Sequence, residues 1–436
     1  MSVQTGDVVE LEIGPVAHGG HCVARLDGQV VFVRHALPGE SVRARVSETS
    51  SGFLRADALE VLTASPARVV PPCRYAGVCG GCDFQHVALT EQRLLKSAVV
   101  REQFERLARI DLAGLGLNPV VEPLPFPDGR NDDGLGWRSR VEFAVDPDTG
   151  AAGLRRHRSH EVVPIDRCLI AAPGVTEAGV TTRPWDADAI DVTETSHGEV
   201  VVTVLPAQGR RSRRIVEHVP ALGADLALDA RGFWQVHPGA ATTFVDVVLA
   251  MLDPQPGERA LDLYSGVGLF ALGLADRVGP LGQVVAIESD EPAAAYARAN
   301  LAGHRHALVL DGRVDDLFGL SRHARSGGRK RRRQGGRAGR PARSPLVPQS
   351  ADIIVLDPPR TGAGADVVRA ISSLGPRAIA YVACDPAALA RDTATFVEQG
   401  YALTDLRSFD AFPMTHHLEC IAHFVPAPSP HEVSPR

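Results

Sequence analysis

Three side chains with catalytic potential stand at the ends of apolar runs in the C-terminal half of the chain. Cys384 directly follows Ala378–Ala383, Asp357 directly follows Ile353–Leu356, and Glu419 precedes a further apolar run. Ligands of open α/β sheets bind at the carboxyl ends of the strands, so we expect these side chains to converge at one sheet edge. A thiolate with a nearby base indicates covalent chemistry on an electrophilic carbon.

Two more apolar runs predict neighbouring strands of the same sheet. Arg259–Tyr264 leads into the glycine-containing turn Ser265–Gly268, and Gln283–Ile287 ends in Glu288. Glycines at a helix N-terminus let backbone N–H groups approach a ligand, and a carboxylate at a strand end can accept hydrogen bonds from ribose hydroxyls. The turn is not Gly-x-Gly-x-x-Gly, and no Gly-Lys-Thr/Ser follows it, which favours a nucleoside without a pyrophosphate. The helices predicted after these strands span Leu269–Asp276 and Glu291–Leu301.

Several motifs follow one another along the chain. They are Cys73-x5-Cys79-Gly80-Gly81-Cys82, Phe233-Trp234-Gln235-Val236, Leu261-Asp262-Leu263-Tyr264-Ser265-Gly266-Val267-Gly268, Asp357-Pro358-Pro359-Arg360, Cys384-Asp385-Pro386 and His417-Leu418-Glu419. On these motifs the chain resembles the RNA 5-methyluridine methyltransferases, the S-adenosyl-L-methionine-dependent uracil-C5 family, from its N-terminus to about Val425.

The resemblance implies roles for individual residues. Cys384 would be the nucleophile and Glu419 the proton acceptor. The residues implied to line the cofactor site are Gln235, Tyr264, Glu288 and Asp357. The chain departs from the family pattern at two positions beside the predicted site. The family usually has Asn at the positions of His237 and Asp385.

Uracil chemistry explains why these residue types are needed. C5 of uracil becomes enolate-like after the Cys384 thiolate attacks C6, and Glu419 would then remove the C5 proton after methyl transfer. We therefore expect the surroundings of Cys384 to favour the thiolate, and Glu419 to be ionised and partly desolvated at elimination. Asp357, fixed by two prolines, would lie near the cofactor or the base.

Each of these residues also has an ordinary structural interpretation. A lone cysteine at a strand end is usually a small buried apolar residue. Asp-Pro-Pro can simply end a strand, because proline cannot continue the hydrogen-bonded ladder. Glu419 could be a solvated strand residue, and Cys22 and Cys420 are predicted to serve packing alone.

Four cysteines form a candidate metal site. Cys73, Cys79 and Cys82 share one loop, and Cys168 lies far downstream. Three clustered thiols and one remote thiol can hold an iron–sulfur cluster. Zinc on four cysteines is the direct alternative, but only one Cys-x2-Cys pair is present. The resemblance favours a [4Fe-4S] cluster with a fold-stabilising or RNA-positioning role. Unliganded reduced thiols are the structural alternative, and the spacing of the cysteines argues against it.

The predicted fold is α/β, with a Rossmann-like class I methyltransferase domain preceded by an OB-like barrel and a central domain. Residues 1–62 show short alternating segments and resemble a TRAM domain, an RNA-binding module. Residues 66–240 form a central α/β domain that carries the cysteine cluster. Residues 241–426 form the methyltransferase domain, and residues 427–436 form a Pro-rich tail.

One basic segment interrupts the methyltransferase domain. Residues 322–348 are predicted to be a disordered insertion, because ten Lys/Arg and no acidic residue occur from Arg322 to Arg343. Subtracting these ten charges from the net charge of −6 leaves −16 for the rest of the chain, so RNA binding needs local positive patches. A tolerated insertion without a role is the alternative. Further candidate RNA contacts are Trp137–Arg140, Arg155–Arg158, Phe32 and Phe53.

Composition limits the class of protein and its compartment. Seven cysteines in 436 residues do not make a disulfide framework. No signal peptide or membrane-spanning run is recognisable, so we expect a cytoplasmic protein without membrane contact. The expected partner is RNA, with 23S ribosomal RNA favoured and transfer RNA as the alternative. An RNA-binding protein with a silent catalytic site is a third hypothesis, and nothing in the sequence indicates an obligate protein partner.

Overall fold

The computed structural model describes residues 3–130, 132–206, 212–320 and 343–428. Most of the predicted basic insertion and nearly all of the predicted tail therefore lie outside the described residues. The last part of the insertion is described and is packed, because Val347 is buried and the Ser344 N–H donates to the Leu317 carbonyl at 2.8 Å. At this end the chain differs from the predicted disorder, since Val347 supplies apolar surface to the core.

The N-terminal part is a barrel-like sheet of six strands. Its strands are β1 Val8–Glu12, β2 Val16–Ala17, β3 His21–Leu26, β4 Gln29–Arg34, β5 Ser41–Thr49 and β6 Phe53–Thr63. They pair in the order β1-β5-β6-β4-β3-β2. Alternate residues face the core, such as Val31 and Val33, while Phe32 between them faces outward. The short alternating segments predicted for residues 1–62 are present as strands, and the additional short strand β2 pairs with β3.

A helix and a second sheet follow the barrel. Helix α1 spans Leu89–Gln103 and continues as one π-helical turn, Phe104–Ala108. The elements after it are β7 Val121–Pro123, β8 Arg140–Val145, β9 Ala152–Arg155, β10 Val162–Pro164, α2 Pro173–Glu177, β11 Ala189–Glu194, β12 Val200–Leu205, β13 Arg214–Val219 and β14 Ala224–Asp229. Five of these strands form an antiparallel sheet in the order β10-β9-β8-β11-β12, and β13 and β14 form a hairpin.

The C-terminal part is the predicted α/β sheet. Its elements are α3 Ala240–Leu252, β15 Arg259–Leu263, α4 Leu269–Val278, β16 Gln283–Glu288, α5 Glu291–Asn300, β17 Ala307–Asp311, α6 Val314–Leu317, β18 Ile353–Leu356, α7 Ala365–Ser372, β19 Ala378–Ala383, α8 Pro386–Glu398, β20 Tyr401–Asp410 and β21 Glu419–Pro426. The sheet order is β17-β16-β15-β18-β19-β21-β20-β7, and β15 to β19 run parallel.

This topology is the class I methyltransferase arrangement that the sequence predicts. Strand β21 runs antiparallel to both of its neighbours, and β7 joins the sheet from the central part of the chain. The order of the parallel strands reverses between β15 and β18, which is where ligands bind in such sheets. The strands are buried on both faces, because two large apolar clusters lie on opposite sides of the sheet.

Within the part of the chain that the structure describes, no helix combines the length and apolar character needed to cross a membrane.

Candidate active site

A cavity of about 780 Å³ opens at the carboxyl ends of the parallel strands, at the point where their order reverses. All six residues for which the sequence predicts catalytic or cofactor-binding roles line this cavity. They are Gln235, Tyr264, Glu288, Asp357, Cys384 and Glu419. They come from six separate places in the chain, so the sheet edge brings them together as predicted.

The Glu288 side chain is held in place by backbone groups. Its Oε2 atom accepts a hydrogen bond from the Gly266 N–H at 2.8 Å, and its Oε1 atom accepts from Ser289 and Asp290, both at 2.7 Å. A carboxylate offers about four acceptor positions, so one position on Oε2 remains for a ligand hydroxyl. The turn beneath it needs left-handed backbone at Tyr264, Gly266 and Gly268, with φ of 62°, 54° and 89°. This geometry fits the ribose of a nucleoside cofactor.

Asp262 supports the same turn from inside the core. It is fully buried, and its Oδ2 atom accepts a hydrogen bond from the Ala271 N–H in the first turn of α4 at 2.8 Å. Burial raises the pKa of Asp262 well above its usual range, and Asp357 and Glu288 add to this effect. The sequence motif that contains Asp262 did not predict this supporting role for it. The available signal was a carboxylate in the middle of an otherwise apolar strand.

Cys384 lies between the end of β19 and the start of α8. Burial, followed by the charges of Glu419 and Asp357, raises the pKa of its thiol to about 12. The surroundings therefore disfavour the thiolate, contrary to the expectation from the sequence, because the sulfur is largely buried and two carboxyl groups share its cavity. Arg360 is the residue whose charge opposes this shift in the Cys384 pKa.

The two carboxyl groups are themselves perturbed by burial. Burial raises the pKa of Asp357 to about 7. Burial also raises the pKa of Glu419 well above its usual range, and Asp357 adds to the shift while Arg360 opposes it. Carboxyl groups with raised pKa values are effective proton acceptors once ionised. Glu419 is 5% exposed, so the desolvation expected of it is present.

A second cavity, of about 170 Å³, meets the first at Cys384 and Arg360. Its opposite wall is the barrel turn that contains His18, Gly19 and Gly20. The His18 Nε2 atom lies 3.1 Å from the Asp385 Oδ2 atom. The N-terminal barrel therefore closes directly over the candidate nucleophile. Asp385, one of the two departures from the family pattern, therefore contacts the barrel turn, and its Oδ1 atom accepts a hydrogen bond from the Ala388 N–H at 2.8 Å.

Helix α1 anchors the loop between β20 and β21. The buried Lys96 Nζ donates to the Asp410 Oδ1 at 2.6 Å and to the Phe412 carbonyl at 3.1 Å. The Gln92 Oε1 atom accepts from the Met414 N–H at 2.8 Å. These contacts fix the loop that leads into Glu419 at the start of β21.

The other departure from the family pattern, His237, lies in the core. Its Nδ1 atom accepts a hydrogen bond from the Gly239 N–H at 3.1 Å, and its ring packs against Phe126 and Trp137. Burial lowers the pKa of His237 to about 4, so the ring is neutral. The sequence predicts that His237 lies beside the site, but in the structure His237 lines neither of the two cavities at Cys384.

The four candidate metal ligands also come together. Cys73, Cys79, Cys82 and Cys168 all line one small cavity, and none of them forms a disulfide. Two donors reach the sulfurs, since the Gly81 N–H points to Cys79 and the Gln85 amide to Cys82, both at 3.4 Å. Among the described residues, however, no group of three or more His, Cys, Asp or Glu is arranged for a single metal ion. Cys22 and Cys420 are buried in packed cores, as predicted.

The raised thiol pKa gives a first prediction, for alkylation of Cys384 by iodoacetamide. With a pKa of about 12, roughly 10⁻⁴ of the thiol is ionised at pH 8, against about a quarter of a free cysteine. We expect the rate at the tryptic peptide Ala378–Arg391 to rise about tenfold per pH unit from pH 8 to pH 11. Arg360→Ala should slow the reaction and Arg360→Lys should preserve it. A rate that levels off near pH 8 would contradict the raised pKa.

Comparison with known proteins agrees with this geometry. Residues 2–59 match the TRAM domain model, and residues 230–425 match the model described as tRNA (Uracil-5-)-methyltransferase. An uncharacterized RNA methyltransferase of Streptomyces avermitilis is 45% identical over 97% of this chain and 99% of its own length. The 23S rRNA (uracil(1939)-C(5))-methyltransferase RlmD of Acidithiobacillus ferrooxidans is 32% identical over 93% of this chain and 94% of its own length.

A solved structure shares the fold over nearly the whole chain. The Pyrococcus abyssi tRNA (uracil-54, C5)-methyltransferase in complex with S-adenosyl-L-homocysteine matches with a TM-score of 0.65 and 21% identity. The match covers 95% of this chain and 99% of that chain. With the sequence relatives, it leads to one conclusion: the chain belongs to the S-adenosyl-L-methionine-dependent RNA uracil-C5 methyltransferases and carries an N-terminal TRAM domain.

Proposed function

We propose that this enzyme methylates C5 of one uridine in 23S ribosomal RNA through a covalent adduct between Cys384 and C6 of the base. The observation that carries the proposal is the single cavity lined by Cys384, Glu419 and Asp357 together with the nucleoside-binding residues. The second cavity at Cys384, beneath the TRAM turn, provides space for a base that enters from the RNA side.

The proposed steps assign one task to each side chain. The Cys384 thiol first loses its proton to solvent, and the thiolate sulfur then forms a bond to C6 while the C5–C6 π electrons move to C5 and the O4 oxygen. C5 then forms a bond to the transferred methyl group. Bound S-adenosyl-L-methionine supplies the electrophilic methyl group. Glu419 then takes the proton from C5, the C5–C6 double bond re-forms, and the sulfur–C6 bond breaks. Arg360, which lines both cavities, favours the Cys384 thiolate by its positive charge.

Binding of the cofactor rests on the residues at the strand ends. Glu288 would accept a hydrogen bond from a ribose hydroxyl, while Tyr264 and Gln235 would line the remainder of the cofactor site. Asp357 would lie between cofactor and base, because it follows β18 next to the reversal of strand order. Its raised pKa of about 7 allows the carboxyl group to donate a hydrogen bond when protonated.

Ribosomal RNA is favoured over transfer RNA by the sequence relatives. Proteins of Acidithiobacillus ferrooxidans and Chromohalobacter salexigens, named as methyltransferases of uracil 1939 in 23S rRNA, are each 32% identical to this chain over most of its length. The counterpart of that uridine is the proposed target. Transfer RNA is the second candidate, because the matching family model carries that substrate in its description.

The second prediction follows from this choice of substrate. A strain without this gene should lose 5-methyluridine at one position of 23S ribosomal RNA, and a plasmid with the wild-type gene should restore it. Nucleoside mass spectrometry of separated ribosomal and transfer RNA makes the measurement, with a Cys384→Ala plasmid as the matched control. Loss of 5-methyluridine from transfer RNA alone would favour the second candidate.

We further propose that Cys73, Cys79, Cys82 and Cys168 hold a [4Fe-4S] cluster. Their shared cavity and the two donors aimed at sulfur support this assignment. Burial raises the pKa of Cys82 to about 12, and the neighbouring thiols add to the shift. Four crowded thiols of this kind are stabilised as thiolates when they bind metal.

The third prediction concerns this cluster. Protein purified without oxygen should be brown and contain about four iron atoms per chain, as a four-cysteine cluster requires. Cys82→Ser should lose the iron, whereas Cys22→Ser should retain it, because Cys22 lies in the core of the barrel. Stoichiometric zinc without iron in anaerobic protein would overturn the assignment.

A further inference from the structure

A fourth cavity, a cleft, lies between the TRAM barrel and the turn after β9, apart from the two cavities at Cys384 and the one at the four cysteines. Its volume is about 260 Å³. The barrel contributes His21, Phe32, Arg34 and Arg55 to its lining, and the turn contributes residues 156–158. None of the steps proposed for methyl transfer uses this cleft.

The barrel side of the cleft combines aromatic and cationic groups. The Phe32 ring lies 5.0 Å from the His21 ring and 5.5 Å from the Phe53 ring, measured between centroids. The Arg55 guanidinium lies 5.6 Å from the Phe32 centroid and 5.1 Å from the Phe53 centroid. An aromatic ring beside an arginine plane is the platform on which proteins stack unpaired RNA bases.

Three arginines around the cleft form ion pairs, and a fourth does not. Arg55 pairs with Glu48 at 3.2 Å, Arg34 pairs with Asp57 at 3.5 Å, and Arg156 pairs with Glu161 at 2.9 Å. Arg158 is exposed, and its guanidinium makes no hydrogen bond or ion pair with any residue in the described ranges. In a chain with a net charge of −6, this free cation is available for an anionic partner.

The cleft is connected to the active site by the barrel turn. His21 in the cleft directly follows Gly19 and Gly20, which line the cavity at Cys384. Gly20 permits this close approach, because a β-carbon there would stand 2.6 Å from the His416 Cβ. His416 also lines the cavity at Cys384, and Asp83 links it to the cleft residue Arg34.

The link through Asp83 consists of two contacts. The His416 Nδ1 atom lies 2.6 Å from the Asp83 Oδ2 atom, and the Arg34 guanidinium lies 4.0 Å from Asp83 Oδ1. The side chains of Arg34, Asp83 and His416 therefore form a continuous polar connection between the cleft and the cavity at Cys384.

We propose that this cleft binds an unpaired nucleotide of the substrate RNA next to the target uridine, with the base against Phe32 and Arg55 and a phosphate at Arg158. The proposal rests on the proposed function for its RNA substrate and adds a second binding position to it. A base held here would present its neighbour to the cavity beneath the TRAM turn, which orients the RNA strand toward Cys384.

The cysteine loop holds the far wall of the cleft in position. Cys79 pairs with Arg156 in an isolated β-bridge, and the Gly80 N–H donates to the Arg155 carbonyl at 2.9 Å. A β-carbon at Gly80 would lie 2.7 Å from the His157 backbone nitrogen, so the two segments are in backbone contact. Metal bound at the cysteines would thereby position Arg158 for RNA.

The test is RNA binding by full-length Cys384→Ala protein, with a labelled single-stranded oligouridylate of about 16 nucleotides, the upper range for one OB-like fold. Arg158→Ala should weaken binding and lower the magnitude of the log–log salt slope by about 0.7. Phe32→Leu should weaken binding about 5- to 150-fold without changing that slope. Arg277→Ala, at an exposed residue of α4 that lines none of the four cavities, is the matched control and should bind normally.

The measured RNA affinity does not depend on methyl transfer, because the Cys384→Ala protein cannot form the covalent adduct with RNA. The binding result would therefore stand even if the proposed methyltransferase function failed its own test. Unfolding temperature and S-adenosyl-L-methionine affinity should be unchanged in the Arg158→Ala protein. A duplex of the same length should be insensitive to Phe32→Leu. Normal oligouridylate binding by both Arg158→Ala and Phe32→Leu would overturn the proposal, as would an equal loss in Arg277→Ala.

Discussion

Replacement of Cys384 by alanine is expected to abolish methyl transfer, with a loss of roughly 10⁴-fold or more, because no other group could make the bond to C6. S-adenosyl-L-methionine should still bind, since the Glu288 carboxylate is held by backbone N–H groups that the substitution does not touch. The measurements are transfer of labelled methyl groups to unmodified RNA and calorimetric titration with the cofactor.

Cys420→Ala is the matched control for this prediction. Cys420 is fully buried, and its sulfur lies 3.4 Å from the Ser408 hydroxyl, outside the active-site cavity. The variant should keep its turnover number even if it unfolds at a lower temperature. Substantial turnover by Cys384→Ala would contradict the assignment of the nucleophile.

Replacement of Glu419 by glutamine is expected to stop the reaction at a later point. The amide keeps the size of the side chain but cannot accept the C5 proton, so the methylated adduct should accumulate on the protein. General base catalysis contributes about 10²- to 10⁴-fold, and turnover should fall by this amount. A protein–RNA complex that survives denaturing electrophoresis, formed only with S-adenosyl-L-methionine, is the expected result.

Two further variants serve as controls for the Glu419→Gln result. Glu398→Gln, at an exposed residue at the end of α8, should turn over normally without a trapped complex. Cys384→Ala/Glu419→Gln should form no complex, because the bond to C6 is absent. A trapped complex in this double variant would show that another residue bonds to the RNA.

The parallel sheet and the convergence of the site residues at its edge could be predicted from the sequence, because both depend on local sequence patterns. Apolar runs bounded by turns gave the strands to within about one residue, as for Ile353–Leu356 and Gln283–Glu288. The carboxyl-end rule then placed Asp357 and Glu288 at one edge.

Long-range packing was not predictable in the same way. The pairing of His18 with Asp385 joins distant parts of the chain, and no periodicity or turn signal marks it. The edge strand Val121–Pro123 is too short to be recognised from its composition. The high pKa of the Cys384 thiol depends first on burial of the sulfur and then on two carboxyl groups, and only folding produces both conditions. These features depend on tertiary contacts and are visible only in the structure.

The most direct test of the central claim is the reaction of wild-type enzyme with substrate RNA in which 5-fluorouridine replaces uridine. Fluorine at C5 leaves Glu419 no proton to remove, so the methylated adduct should persist. After digestion with nuclease and trypsin, mass spectrometry should find the modified nucleotide on Cys384, in the peptide Ala378–Arg391. An adduct on any other peptide, such as the one that begins at Ser408 and contains Cys420, would contradict the account, as would turnover of this RNA without any adduct.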